Sequence, residues 1–355
     1  MFSLHIDTAR TWRGGQNQVL LTAEGMAARG HDVLVACRKG GVLEQRARDA
    51  GLAVRPLALR GDLSPAAILA LRRTLRDFRP DVVQLHDPHA VSAGLFAGRG
   101  GARRIATRRV DFHLRRALSR HKYAACDRVI AVSRAIATIL KEDGLQPERI
   151  RLVYEGVRSR EPQPGGMEAL AALGIPKGAP VIGNVAALTD HKDHATLLEA
   201  AALVKHTVPE ARLLIVGDGE LRQTLENRAR ELGVADHVVF AGFRSDLDAL
   251  IPAFAVFCLS SHKEGLGTSL LDAMNFGRPI VATAAGGIPE AIEDGVTGRV
   301  VPIRDAAALA AALGDLLADP ARAAGMGAAG RRRFEERFTA ERMVEATLQV
   351  CAETL

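Results

Sequence analysis

The sequence predicts an α/β fold of two parallel-sheet units in tandem, followed by helices at the C-terminal end. Three observations predict it. Short apolar runs alternate with stretches whose apolar residues recur at three- and four-residue spacing, as strands and helices do when a parallel sheet is covered on both faces. A Pro/Gly-rich stretch, "SREPQPGGMEALAALGIPKGAP", separates two such series. A chain of 355 residues, 48% of them hydrophobic, is long for one domain and ordinary for two.

Taken in order, the first strand runs into "LHIDTARTWRGGQNQVLLTAEGMAARGHDVLVA". There Gly14 and Gly15 stand where a helix begins, so its free N–H groups and positive end face the strand-end side. A plain strand-to-helix turn accounts for the pair equally well, and it is not a G-x-G-x-x-G fingerprint. The runs "VLVAC", "VVQLH", "RIAT", "RVIAVS" and "IRLVYEGV" read as further strands, and "SPAAILALRRTLRDF" as a helix. His86 and His89 follow the second of these runs. His86, nearest the strand end, is read as a partner for a substrate hydroxyl near neutral pH, and His89 as structural.

The second series is "PVIGNVA", "RLLIVG", "HVVFAG", "AVFCLS", "PIVAT" and "GRVV". Lys192 lies in the loop of "NVAALTDHKDHATLLEAA", where a phosphate suits it; a solvated lysine is the alternative. "GDGE" opens a helix and is weak evidence alone. The tail from Pro320 to Leu355 is helical in pattern and carries no strand. Ligands of open parallel sheets bind beyond the carboxyl ends of the strands, so two sheets in tandem point to the cleft between them.

Composition narrows the function. Cys37, Cys126, Cys258 and Cys351 are scattered with no zinc-type spacing and read as reduced cytoplasmic thiols; the sequence shows no metal-ligand cluster, and neither a metal nor a cofactor is expected. The start, "MFSLHIDTARTW", lacks a leader pattern, and the longest apolar-dominated segment, "ALIPAFAVFCLSS", is too short and interrupted to span a bilayer. Charge is uneven: residues 1–160 carry 29 Lys+Arg against 15 Asp+Glu, a balance of +14, and the remainder carries 18 against 26, a balance of −8. Nine cations fall in residues 99–122, "RGGARRIATRRVDFHLRRALSRHK". With one aromatic in the run, Phe112, another just after it, Tyr123, and no binding motif, nucleic acid is not expected; anionic lipid headgroups or a phosphate-bearing substrate fit better. An Arg-biased genome explains the choice of Arg, though not the asymmetry.

The most specific stretch is "HKEGLGTSLLDAMNFGRPIVATAAGGIPE", residues 262–290. Glu264 precedes a Gly-rich turn, Gly265, Leu266, Gly267 and Thr268 can aim backbone N–H groups at an anion, and Asp272 lies about one turn into the next helix. A diphosphate suits the donors, and hydroxyls suit the carboxylates as strong acceptors. A sugar nucleotide carries both.

This stretch, continuing as "AIEDGVTGRVV", resembles the E-x7-E signature of family 4 glycosyltransferases, retaining enzymes of the GT-B fold. "RPDVVQLHDPHA", "DRVIAVSRAI", "VYEGV", "IVGDGELR" and "VVFAGFRSDL" fall in the family's order. The resemblance implies two Rossmann-like domains: an acceptor-side domain over 1–160, a linker over 161–178, and a nucleotide-sugar domain over 179–330. A C-terminal helix, 331–355, is expected to pack back toward the first domain. It further implies Glu264 at the hydroxyls of the transferred sugar and Asp272 at the ribose. Gly265 to Thr268 would lie along sugar and diphosphate with Ser269 close behind, and Lys192 would pair with the diphosphate. Gly242 and Phe243 would lie against the base, Gly14 and Gly15 would close on the donor, and His86 would approach the transferred sugar. Arg108 and Arg109 would lie on the acceptor side.

Three positions depart from the family pattern. Asp272 is one methylene shorter than the usual Glu, Ala187 stands where an arginine often helps clamp the phosphate, and Arg109 replaces a common histidine. The expectation is a metal-independent, retaining transferase that moves a sugar from a nucleoside-diphosphate sugar to an envelope lipid, saccharide or other acceptor. It would be cytoplasmic and peripheral on the membrane, with residues 99–122 facing anionic lipid. A sugar-nucleotide epimerase of the same architecture and an inactive sugar-nucleotide-binding or scaffold relative are the alternatives.

Overall fold

A computed structural model describes residues 1–59, 64–114 and 117–355. They form two compact units, Met1–Arg158 with Thr339–Leu355, and Ser159–Phe338.

The first unit holds β1 (Phe2–Asp7), β2 (Asp32–Arg38), β3 (Ala53–Leu57), β4 (Val82–Leu85), β5 (Arg103–Arg108), β6 (Arg128–Ala131) and β7 (Ile150–Leu152). Their order is β3-β2-β1-β4-β5-β6-β7, every neighbouring pair parallel. Central strands are buried on both faces: all four residues of β4, "VVQL", are buried, with Gln84 donating to Ser3 Oγ. One face packs Leu4, Ile6, Val83 and Leu85 on Leu71, Leu75 and Val91; the other packs Val35 and Cys37 on Val19 and Leu20. β3 is absent from the sequence reading. It is an edge strand, "AVRPL", alternately exposed and containing Pro56, so it shows neither an apolar run nor an uninterrupted strand pattern.

The helix Ala340–Ala352 belongs to this unit. Its Met343, Val344, Val350 and Cys351 join Leu21, Met26, Val82 and Ile105 in one buried cluster. Residues 331–337 close the helix Pro320–Arg337, which stays in the second unit.

The second unit holds β8 (Val181–Val185), β9 (Arg212–Val216), β10 (Val238–Gly242), β11 (Val256–Leu259), β12 (Ile280–Thr283) and β13 (Arg299–Val301), in the order β10-β9-β8-β11-β12-β13 and parallel throughout. The stretch 161–178, read as linker, is part of this unit: it carries the helix Gly166–Ala172, its Leu170 is buried, and Gln163 donates its N–H to the Asp248 carbonyl at 2.9 Å. Counted from its own first strand, the second sheet runs 3-2-1-4-5-6, the doubly wound order, and the first runs the same way with a seventh strand added beside the sixth. The switch points lie between β1 and β4 and between β8 and β11, where such sheets bind ligands. Among the described residues no helix is long and apolar enough to cross a membrane.

The basic run 99–122 is largely spent inside the first unit. Arg99 and Arg103 both pair with Asp127, at 2.9 and 3.5 Å, and Arg109 pairs with Glu155 at 3.0 Å. Arg104 and Arg108 are buried. Arg120 donates to the Leu114 carbonyl and Lys122 to the Pro88 carbonyl. Arg115 and Arg116 lie outside the described residues.

Candidate active site

In the second unit, Lys192 and Glu264 come from the loops that follow the neighbouring parallel strands β8 and β11, so both emerge at the switch point. They form an ion pair, with side chains only 17% and 13% exposed. Ser261 Oγ donates to Glu264 Oε2 and the Gly265 N–H to Oε1, each at 3.3 Å. Ser260 Oγ donates to the Lys192 carbonyl at 3.0 Å, joining the two loops a second time. Each charge shelters the other, and removing one partner would leave a partly buried charge uncompensated.

Gly267, at φ 91°, is the N-cap of the helix Thr268–Asn275, and no side chain caps that end. This left-handed turn favours glycine, and an added Cβ would lie 3.0 Å from Leu270 Cδ1. The first-turn N–H groups at Thr268 and Ser269 thus end beside Glu264 with the helix dipole behind them, an arrangement that favours an anion. Leu266 is fully buried and has only its backbone to offer.

Asp272, further along this helix, pairs with Arg160 Nη2, while Arg160 Nη1 holds Asp248 at 2.6 Å. Burial pushes the Asp272 carboxyl up to about 6; Arg160 opposes the rise and Asp248 adds to it. Arg160 and Asp248 gave no sequence signal: one stands in a Pro-rich stretch that reads as linker, the other among ordinary helical charges.

Gly242 (φ 68°) ends β10, and Phe243 beside it is 73% exposed, an aromatic face in solvent two strands beyond β8. The "GDGE" glycines have a packing explanation. A Cβ on Gly217 would fall 1.9 Å from the Ala186 carbonyl oxygen and one on Gly219 would fall 2.4 Å from that of Leu188, so two loops touch backbone to backbone there.

In the first unit, His86 follows β4 and Arg109 follows β5. Arg109 donates to His86 Nδ1 (3.4 Å), to the His86 carbonyl (3.1 Å) and to Glu155 (3.0 Å). A guanidinium has no acceptor, so His86 Nδ1 must accept and its Nε2 must carry the proton. That proton goes to His5 Nδ1 at 3.1 Å, and His5 Nε2–H then reaches Ser3 Oγ at 3.2 Å. The two rings stack with centroids 5.2 Å apart. Burial, then Arg109, lowers both imidazoles, His5 to about 3 and His86 well below the usual range. Both His86 nitrogens are therefore taken up inside the unit. Arg109 also lies near the start of the helix Gly14–Ala27: its Cδ would be 3.8 Å from a Cβ on Gly15. Arg108 donates to the Phe112 carbonyl at 2.6 Å and lies over the Phe112 ring.

Asp7, at the end of β1, is a site the sequence reading missed. It accepts from the Ala9 N–H (3.0 Å) and from Gln16 Nε2 (3.2 Å), tying the strand to the first turn of the Gly14–Ala27 helix. Burial and the nearby Asp87 push its carboxyl up to about 6, against those hydrogen bonds and Arg109. The structure thus gathers Gly15, His86 and Arg109 in one unit, and Lys192, Glu264 and Gly265–Ser269 in the other with Asp272 alongside.

Two family models match the chain: "Glycosyltransferase Family 4" over residues 12–161 and "Glycosyl transferases group 1" over residues 168–333. The two matches together support a glycosyltransferase of the family 4 type. Among curated glycosyltransferases it is similar to a GDP-mannose-dependent alpha-(1-6)-phosphatidylinositol monomannoside mannosyltransferase of Mycolicibacterium smegmatis, with 42% identity over 43% of this chain and 42% of that one. It is similar along more of its length to a 2-deoxystreptamine N-acetyl-D-glucosaminyltransferase of Streptomyces fradiae, 28% identical over 87% of this chain and 83% of that one. The chain spans roughly half the length, 42% to 52%, of the first of these and four further curated relatives. Its fold is GT-B, and it is similar in fold to HepE of Anabaena, solved in complex with UDP and glucose. That structure is 20% identical, with a TM-score of 0.88 over 99% of this chain and 100% of that one.

Proposed function

We propose that this protein is a retaining glycosyltransferase that moves a sugar from a nucleoside-diphosphate sugar to an envelope lipid, a saccharide or another acceptor, without a metal ion. The observation that carries the reading is the Lys192–Glu264 pair beside the uncapped helix start at Gly267, at the switch point of the second sheet. A sugar nucleotide exchanges that pair for two better-matched contacts. Its diphosphate takes Lys192 and the N–H groups of Gly265–Ser269, and its sugar hydroxyls donate to Glu264.

In this reading the bond from the anomeric carbon to the diphosphate oxygen breaks while the acceptor oxygen bonds to that carbon, and the acceptor's proton leaves with the diphosphate. Lys192 and the helix N–H groups stabilise the charge that grows on the leaving oxygen. Asp272 accepts from the ribose, Phe243 with Gly242 lies against the base, and Gly14 and Gly15 are assigned to donor binding. His86, with both nitrogens bound, acts by shaping the sugar side rather than by exchanging protons. Arg108 and Arg109 belong to the acceptor side. The relative named for GDP-mannose and the HepE structure named for UDP support a nucleotide-sugar donor. The reading places the protein in the cytoplasm.

The test is a thermal-shift panel of UDP-, GDP- and ADP-sugars, followed by release of nucleoside diphosphate with and without added acceptors. A donor that binds only the native state raises the melting temperature. Acceptor-dependent release that survives a chelator, with the anomeric configuration of the product unchanged from the donor, is the expected result. Release without acceptor favours the epimerase alternative, and stabilisation without turnover favours the inactive relative.

A further inference from the structure

Arg160 stands two residues into the second unit, yet the helix that carries Asp272 fixes its place. Asn275 of that helix, fully buried, accepts the Arg160 N–H on Oδ1 at 3.2 Å and donates Nδ2 to the Arg160 carbonyl at 2.9 Å. The guanidinium lies over the Phe276 ring, 5.7 Å from its centroid, and forks between two carboxylates, Nη1 on Asp248 and Nη2 on Asp272 Oδ1. Oδ2 of Asp272 is left to other donors.

We propose that Arg160 is a positioning residue for donor binding, holding the short Asp272 side chain ionised and in one rotamer so that Oδ2 can accept from the ribose hydroxyls. The inference rests on the reading of Asp272 at the ribose. Charge makes Arg160 necessary. Asp272 faces Asp248, on the helix Leu247–Leu250, with Arg160 as the cation between them. The other cations near this helix are directed elsewhere. Arg278 donates to the carbonyls of Pro252 and Phe254, and Arg331, on the helix Pro320–Arg337, donates to the Asn275 carbonyl and pairs with Glu335. Without Arg160, burial and Asp248 act unopposed on Asp272, which takes up a proton and becomes a poorer acceptor. Geometry adds to this: an aspartate reaches one methylene less far than a glutamate, so its carboxylate has less room for error in direction, and the fork supplies that direction.

The experiment titrates UDP and GDP, each beside its 2′,3′-dideoxy form, onto the full chain by calorimetry between pH 5 and 8. The variants are Arg160→Gln, Asp248→Asn, their combination, and Asp272→Asn. Arg160→Gln should weaken binding of the ribose form about tenfold at pH 7 and move the pH midpoint of that binding upward, while the dideoxy form binds it as it binds wild type. Asp248→Asn should move the midpoint downward, and the combination should recover most of the lost affinity. Asp248→Asn also keeps the test open if Arg160→Gln does not fold. An unchanged pH midpoint in both single variants, or equal losses for the ribose and dideoxy forms, overturns the role of Arg160. If Asp272→Asn binds the ribose form as wild type does, the ribose reading itself is wrong. If Asp272→Asn loses that binding and Arg160→Gln keeps it, the inference about Arg160 alone fails.

Discussion

At the residue scale the candidate site consists of charges whose partners decide what they can do. Glu264 is held by Lys192, Ser261 and the Gly265 N–H, a preorganised acceptor aimed from a loop. If it meets the sugar chiefly in the transition state, Glu264→Gln should lower turnover by roughly 10²–10³-fold with the fold intact, and steady-state kinetics beside a melting curve would show it. Near-native turnover would remove Glu264 from the chemistry. Asp7 makes a prediction of the opposite kind. Its native carboxyl is raised to about 6 from an ordinary 3.8. Between those values the native state holds more protons than the unfolded chain, so this group's contribution to stability falls as pH rises through the window and stays lost above it. The cost at neutral pH is on the order of 1–3 kcal/mol. Asp7→Asn, which can still accept the Ala9 N–H, should raise the melting temperature at pH 7.5 and leave it nearly unchanged at pH 4. Glu264 and Lys192 were legible in the sequence because each lies in the loop between an apolar strand run and the next helix. Arg160, His5 and Glu155 were not, since their significance comes from Asp272, His86 and Arg109, which lie 46 to 112 positions away in the chain.

At the element scale, the strand-to-helix turn of residues 264–268 is the most demanding piece of backbone in the site. Gly267→Ala places a Cβ at φ 91° and 3.0 Å from Leu270. The turn should shift, costing about 1–2 kcal/mol of stability. Diphosphate affinity should fall as well, because the helix N–H groups follow the turn; calorimetry with UDP and GDP would read both effects. An unchanged affinity would mean those N–H groups do not touch the ligand. Among the described residues, twelve of the thirteen strands were legible because each lies in a short run rich in apolar residues, as a strand covered on both faces does. β3 was hidden by its edge position and Pro56. The "GDGE" turn was legible as a turn, but its reason was not: its glycines answer to Ala186 and Leu188 in another loop.

At the scale of the whole molecule, periodicity gave two α/β units and a boundary close to residue 160, since an alternation of strands and helices restarts there. The return of the chain to the first unit at Thr339 was expected only through the family resemblance, because an amphipathic helix does not by itself name the surface it covers. Net charge behaved in the same way: the nine cations of residues 99–122 show in the sequence, but the acidic partners and carbonyls that engage Arg99, Arg103, Arg109, Arg120 and Lys122 do not. If the remaining charge faces a membrane, the protein should sediment with anionic vesicles at low salt, release as salt rises, and ignore neutral vesicles. No sedimentation at low salt would favour a soluble acceptor. The central claim, that the second unit binds the diphosphate of a sugar nucleotide, is tested most directly by comparing wild type with Lys192→Ala for binding of UDP and GDP against uridine and guanosine. Only the diphosphates present the charge that Lys192 neutralises, so the variant should lose affinity for them while its binding of the bare nucleosides changes little. Equal losses for nucleoside and nucleoside diphosphate, or no loss for either, would contradict the account.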